Sequence, residues 1–132
     1  MADNTGKKIL IVEDDQFLRE FYQELLTGEG YTIDTAADGE IGEAKLRQGG
    51  WNLVLLDIML PKKDGLHILQ DLKANPPTAK NGQIIVLTNL GNDTVASQAF
   101  ALGANGFLFK SSMNPDEVLK QISSFLQKPP NA

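Results

Sequence analysis

The sequence predicts an α/β domain of five alternating strand and helix units around a parallel sheet. Aliphatic runs of strand length recur along the chain, each followed by a turn signal and then by apolar residues at helical spacing. Three of these runs are almost wholly aliphatic rather than alternating, as in strands covered on both faces. Strands are expected at about Lys8–Glu13, Tyr31–Thr35, Leu53–Asp57, Gln83–Thr88 and Gly106–Lys110.

The helices carry their own punctuation. Leu18, Phe21, Tyr22, Leu25 and Leu26 follow the i, i+3, i+4, i+7, i+8 spacing of one buried stripe, closed by Gly28 and Gly30. Asp64, ahead of Leu66, Leu69 and Leu72, is placed to accept from free N–H groups at the start of the third helix. The fourth helix is expected at about Asp93–Leu102, burying Val95, Ala99 and Phe100 and stopping at Gly103. In the last, Asn114 is the cap, Pro115 the first helical residue and Glu117 the partner in a capping box; Val118, Ile122, Phe125 and Leu126 form its apolar face, and Pro129 and Pro130 end it. Residues 1–7 and 128–132 read as short tails around one domain at 8–127.

Composition narrows the class. With 132 residues, 42% hydrophobic and 22% charged, the chain is long enough to build one core without staples. Cysteine is absent, which excludes disulfides, thiolate zinc sites, iron–sulfur clusters and a Cys nucleophile. The longest aliphatic runs fall far short of the roughly 20 residues that span a bilayer, so no membrane partner is expected. Met1–Lys8 lacks the apolar region of a signal peptide, and a cytoplasmic location is the expectation. A net charge of −5, scattered along the chain, repels phosphate backbones and argues against direct nucleic-acid binding.

The informative feature is where the acids stand. Glu13, Asp14 and Asp15 follow the first aliphatic run and Asp57 ends the third, so all lie at carboxyl ends of strands, where open parallel sheets bind ligands. If those strands are neighbours, Glu13, Asp14 and Asp57 converge. Two carboxylates about 5 Å apart repel by about 3 kcal/mol at an effective dielectric of about 20. Three require either a proton or a cation among them, and hard oxygen donors favour Mg²⁺. Thr88 and Lys110 close on the same crevice with a hydroxyl and an ammonium. A carboxylate, a divalent cation, an ammonium and a hydroxyl around one point form a site for phosphoryl transfer.

Four segments carry a family resemblance: Ile9 through Asp15, Leu53 through Pro61 with Asp64-Gly65, Ile85 through Thr88, and Gly103 through Lys110. Together they resemble the receiver domain of two-component response regulators, the CheY-like superfamily, from about Lys8 to Gln127. The resemblance implies a doubly wound (βα)5 three-layer sandwich of flavodoxin type, with strand order 2-1-3-4-5. It implies Asp57 as acceptor of a phosphoryl group from a sensor histidine kinase or a histidine phosphotransfer protein. Glu13, Asp14, Asp57 and the Met59 backbone carbonyl would hold Mg²⁺. Lys110 would contact the phosphoryl group, and Thr88 would bond one of its oxygens. Phe107 would then turn inward, altering the face of the fourth helix, fifth strand and fifth helix for a downstream partner. Asp15 and Asn89 would flank the site. The domain would assist its own phosphorylation and dephosphorylation without being a dedicated enzyme.

Some positions depart from the family pattern. Phe107 stands where a Tyr is common, which removes a phenolic hydrogen bond but keeps ring packing. Asn89 replaces a small residue after Thr88. Ser111 replaces a Pro, and because a cis bond before a non-proline residue costs about 2.5–4 kcal/mol, a trans Lys110-Ser111 peptide is expected. Met59 and Leu90 put apolar side chains where polar groups tune dephosphorylation, which implies a longer-lived aspartyl phosphate. Simpler readings are preferred elsewhere: Asp15 as a helix cap, His67 as a surface residue, Trp51 as strand-entry packing and Phe109 as core.

Other phosphate chemistries fit worse: there is no phosphate-binding Gly-rich loop ahead of a helix, and Met59 stands where aspartyl-phosphate hydrolases of the haloacid dehalogenase type carry a second Asp. The sequence reads as a stand-alone, phosphorylation-controlled binding module. The alternatives are a degenerate receiver acting as a constitutive adaptor, and the regulatory fragment of a longer transcription factor or enzyme. Dimerisation on activation stays open.

Overall fold

A computed structural model describes residues 6–89, 93–110 and 114–127. Its strands are β1 (Lys8–Val12), β2 (Thr32–Ala36), β3 (Leu53–Asp57), β4 (Gln83–Thr88) and β5 (Gly106–Phe109). Between and after them lie α1 (Gln16–Gly28), α2 (Gly39–Gln48), α3 (Gly65–Ala74), α4 (Asp93–Ala101) and α5 (Pro115–Gln127). The sheet is parallel with order β2-β1-β3-β4-β5, as the resemblance implies. β3 sits at its centre, and all five of its residues are buried.

The two faces of the sheet support separate apolar clusters. Leu10, Val12, Val54, Leu56 and Val86 pack with α2, α3 and Ala99 of α4, while Ile9, Ile11, Leu53, Leu55, Ile85 and Leu87 pack with α1 and α5. Each such aliphatic side chain stabilises by roughly 1.5–3 kcal/mol when fully buried, which is why the central strands need no alternation. Trp51 enters β3 buried, its indole Nε1 donating to the Lys45 carbonyl at 2.8 Å.

The strand ends differ from expectation by a residue, with local causes. Tyr31 donates its N–H back to Leu26 at 3.3 Å, closing α1, so β2 starts at Thr32 and runs to Ala36. β1 and β5 stop at Val12 and Phe109, leaving Glu13 and Lys110 just beyond the sheet.

The caps are built as the sequence indicates. Asp15 accepts from Leu18 N–H at 3.0 Å, Asp64 from His67 N–H at 2.9 Å, and Asn114 from Asp116 and Glu117 N–H at 3.0 and 3.3 Å. α4 ends at Ala101 rather than Leu102, and two aromatic expectations fail around it. Phe100 is 47% exposed: the adjacent Ala99 takes the buried position of that turn, leaving Phe100 at the margin against Phe107. Phe109 is 40% exposed rather than core: it shares a strand face with Phe107, two residues earlier, and sits at the end of an edge strand. The expected tails at 1–5 and 128–132, Pro129 and Pro130 included, lie outside the described residues.

Candidate functional site

The site follows from one pairing. β1 and β3 are hydrogen-bonded neighbours, with Val12 level with Leu56, so the residues that follow each strand end meet at the carboxyl edge of the sheet. Glu13 is fully buried there, Asp57 is 1% exposed, and Asp14 faces solvent. One carboxylate oxygen from each of the three lies within 4.8 Å of the others.

Lys110 enters from the end of β5. Its Nζ stands 2.9 Å from Asp57 Oδ2 and 3.0 Å from Glu13 Oε1. The other oxygen of each acid is held by the backbone: Glu13 Oε2 accepts from Asp15 N–H at 3.0 Å and Asp57 Oδ1 from Met59 N–H at 3.1 Å. The loop after β3 is pinned by Gly65, whose N–H donates to the Ile58 carbonyl at 2.8 Å; a Cβ at that position would lie 2.6 Å from the Asp57 carbonyl oxygen.

These contacts do not cancel the charge. Burial pushes the Glu13 carboxyl up to about 7, with the Asp57 charge adding to it and the Asp15 N–H and Lys110 opposing. Burial likewise raises Asp57 against the pull of Lys110 and the Met59 N–H. Burial works against the Lys110 ammonium, but the two carboxylates outweigh it and hold its pKa above the ordinary value. The crowding anticipated from sequence is therefore met in part by the chain's own cation.

Space for a further cation remains. Glu13 Oε1 and Asp57 Oδ2 are buried and share the Lys110 ammonium, which stands 3.0 and 2.9 Å from them. With the exposed Asp14 carboxylate beside them, they form a set of hard oxygen donors open to water on one side. Such a set suits Mg²⁺, which keeps several of its waters.

Comparison with known proteins decides the family. A family model, the response regulator receiver domain, matches residues 9–123. The chain belongs to the response regulator receiver family. It is 32% identical over 123 residues to the chemotaxis protein CheY of Treponema pallidum, spanning 91% of this chain and 83% of that one. It is 31% identical over 128 residues to the transcriptional regulatory protein ResD of Bacillus subtilis, spanning 97% of this chain but 51% of ResD. Among solved structures, a CheY-like receiver domain protein from Methanospirillum hungatei JF-1 superposes with a TM-score of 0.78 at 30% identity, covering 91% of this chain and 93% of that one. Receivers are generally phosphorylated by histidine kinases, act on downstream targets and use Mg²⁺ bound by acidic residues.

Within this receiver, Asp15 does what its sequence position indicates: it caps α1 and donates to Glu13. Met59 holds Asp57 through its N–H, while its side chain is 73% exposed. Thr88 is buried at the end of β4, one step past the Asp57–Leu87 pairing, and its hydroxyl donates to the carbonyl of exposed Asn89 at 3.2 Å. Phe107 is half-buried against the α4 side, edge-on to Phe100 with ring centroids 4.6 Å apart. His67 is exposed, its Nδ1 2.8 Å from Asp64 Oδ2, away from the acids. Leu90 and the Lys110-Ser111 peptide lie outside the described residues.

Two contributors escape a reading by motif. Arg19 donates through Nη1 to the carbonyls of Glu13 and Asp14. Tyr22 is fully buried with an unpartnered hydroxyl, and burial, aided by the Glu13 charge, pushes it up to about 12. Tyr22 reads as an ordinary core residue of the α1 stripe; Arg19 does carry a sequence signal, a cation in the first turn of a helix.

Proposed function

We propose that this receiver is a phosphorylation-controlled switch whose acceptor is Asp57. The observation that carries the reading is a buried carboxylate at the end of β3, with Lys110 Nζ 2.9 Å away and Glu13 and Asp14 alongside. An Asp57 oxygen bonds to phosphorus as the phosphorus–nitrogen bond of a donor phosphohistidine breaks. The imidazole leaves with the electron pair and takes up a proton. Glu13, Asp14, Asp57 and the Met59 carbonyl would hold Mg²⁺, which would supply neutralisation of the charge on the transferring group. Lys110, 2.9 Å from Asp57 Oδ2, provides a second positive charge beside the acceptor.

Thr88 then exchanges its bond to the Asn89 carbonyl for one to a phosphoryl oxygen. The withdrawal of the Thr88 hydroxyl and the repacking of Phe107 against Phe100 alter the face formed by α4, β5 and α5, which a downstream protein reads. The protein acts in the cytoplasm; among the described residues no helix is long and apolar enough to cross a membrane. It performs no turnover on an external metabolite.

Incubation with Mg²⁺ and a small acyl-phosphate donor tests the reading: intact mass gains one phosphoryl group, and Asp57→Ala abolishes the gain. No gain in wild type, with no detectable Mg²⁺ binding, overturns it in favour of a constitutive adaptor. The half-length match to ResD supports a second context, a receiver governing an output region of a longer chain. The length of the native polypeptide decides between the two.

A further inference from the structure

The turn between β1 and α1 carries both Glu13 and Asp14, and its backbone is held by a residue that the proposed chemistry leaves unused. Arg19, the fourth residue of α1, engages three successive carbonyls. Its Nη1 donates to Glu13 O at 2.9 Å and to Asp14 O at 3.2 Å, and its backbone N–H donates to Asp15 O at 2.9 Å. The turn is also tied from its other side, by Glu13 N–H to the Ala36 carbonyl at 3.0 Å and by Asp15 N–H to Glu13 Oε2 at 3.0 Å.

A cation in the first turn opposes the helix macrodipole, although the Asp15 carboxylate at the N-cap offsets part of that cost. The macrodipole therefore gives no reason for an arginine here. The carbonyls it holds do, because the peptide planes of residues 13 and 14 set the directions in which the two side chains leave the turn.

We propose that Arg19 is a positioning residue for the divalent-cation site, locking the Glu13 and Asp14 peptides so that their carboxylates converge with Asp57. The inference rests on the Mg²⁺-dependent reading above. It also has a sign that separates it from simple electrostatics. A guanidinium near a cation site repels the cation, so if charge alone mattered, removing Arg19 would tighten Mg²⁺ binding; if positioning dominates, removal weakens it.

Calorimetric titration of Mg²⁺ into the intact chain compares wild type with Arg19→Met and Arg19→Lys. Arg19→Met is expected to weaken binding about tenfold, the usual loss when a group that orients metal ligands is removed. Arg19→Lys recovers part of the loss, since an ammonium still reaches a carbonyl but cannot reproduce the guanidinium geometry. In metal-free protein, amide exchange at Asp15 accelerates in Arg19→Met relative to the amides of β3, a pattern that uniform destabilisation does not produce. Equal or tighter Mg²⁺ binding by Arg19→Met overturns the inference, and Arg19→Lys supplies the same test should the Met variant not fold. Wild type that binds Mg²⁺ yet gains no phosphoryl group removes the proposed function and leaves Arg19 its role. Wild type that takes up no Mg²⁺ removes both.

Discussion

Neutralising Glu13 should make the metal-free protein more stable. The carboxyl ionises near 4.5 when solvated but at about 7 in the fold, where burial and the Asp57 charge oppose its ionised form. In the pH interval between those values the native state binds more protons than the unfolded chain, so the contribution of Glu13 to stability falls as pH rises. Integrated to neutrality, the cost approaches about 3 kcal/mol, and sharing of the proton with Asp57 brings it to about 2 kcal/mol. Glu13→Gln keeps an oxygen for the Asp15 N–H and leaves Lys110 its contact with Asp57. Urea unfolding without Mg²⁺ should show the midpoint of Glu13→Gln raised by about 1 M at pH 7.5 for an ordinary m-value. The gain should fade toward pH 4.5 and vanish below it, where wild-type Glu13 is protonated in both states. With Mg²⁺ the order narrows or reverses, because wild type gains from binding what the variant cannot. A Glu13→Gln protein less stable than wild type at pH 7.5, or a gain that does not change with pH, would refute the reasoning.

Three further outcomes are expected. Tyr22→Phe, which deletes a buried hydroxyl with no partner, should be neutral or stabilising by up to about 1 kcal/mol in the same unfolding assay. Gly39→Ala should lose at least about 2 kcal/mol, since a Cβ there would lie 1.7 Å from the Lys63 carbonyl and force apart the loops before α2 and α3. Thr88→Ala should still gain phosphoryl mass on Asp57 but show smaller chemical-shift changes at Phe100 and Phe107 than phosphorylation produces in wild type; changes as large as wild type's would detach Thr88 from the switch.

Legibility in the sequence followed the physics of each element. β3 declared itself because a strand buried on both faces reads as an unbroken aliphatic run, here Leu53 to Leu56 ahead of Asp57, and Asn114-Pro115 and Asp64 declared helix starts because capping is local. α2 left no apolar stripe to read. It packs through Leu46 together with Gly39 and Gly42, the latter placed so that a Cβ would sit 2.6 Å from Val12 Cγ1, and glycines add nothing to a hydrophobic period. The acids at strand ends pointed to the site, but Lys110 acting as their resident counter-ion depends on where β5 lies across β4, and no spacing encodes that. Phe100 and Phe109 misled because aromatic residues imply burial, whereas here one lies at the margin of α4 and the other at the end of the edge strand β5.

The acidic corner that costs stability is also what the proposed chemistry uses, in line with the usual opposition between stability and a preorganised site. A buried Asp57 keeps one oxygen free of backbone donors, and Lys110, 2.9 Å from it, limits the penalty while remaining placed for the incoming group. The conformational step has less to draw on. Thr88 exchanges a neutral bond to the Asn89 carbonyl for a charge-assisted one, a net gain of about 1 kcal/mol, which shifts a two-state equilibrium only about fivefold. Near-complete switching needs about 5.5 kcal/mol, so in the proposed switch most of the bias falls to other contacts of the phosphoryl group, among which the Lys110 ammonium beside Asp57 is charged. It follows that Lys110→Met should leave a phosphorylated protein whose Phe107 environment barely changes, a more severe loss of switching than Thr88→Ala produces.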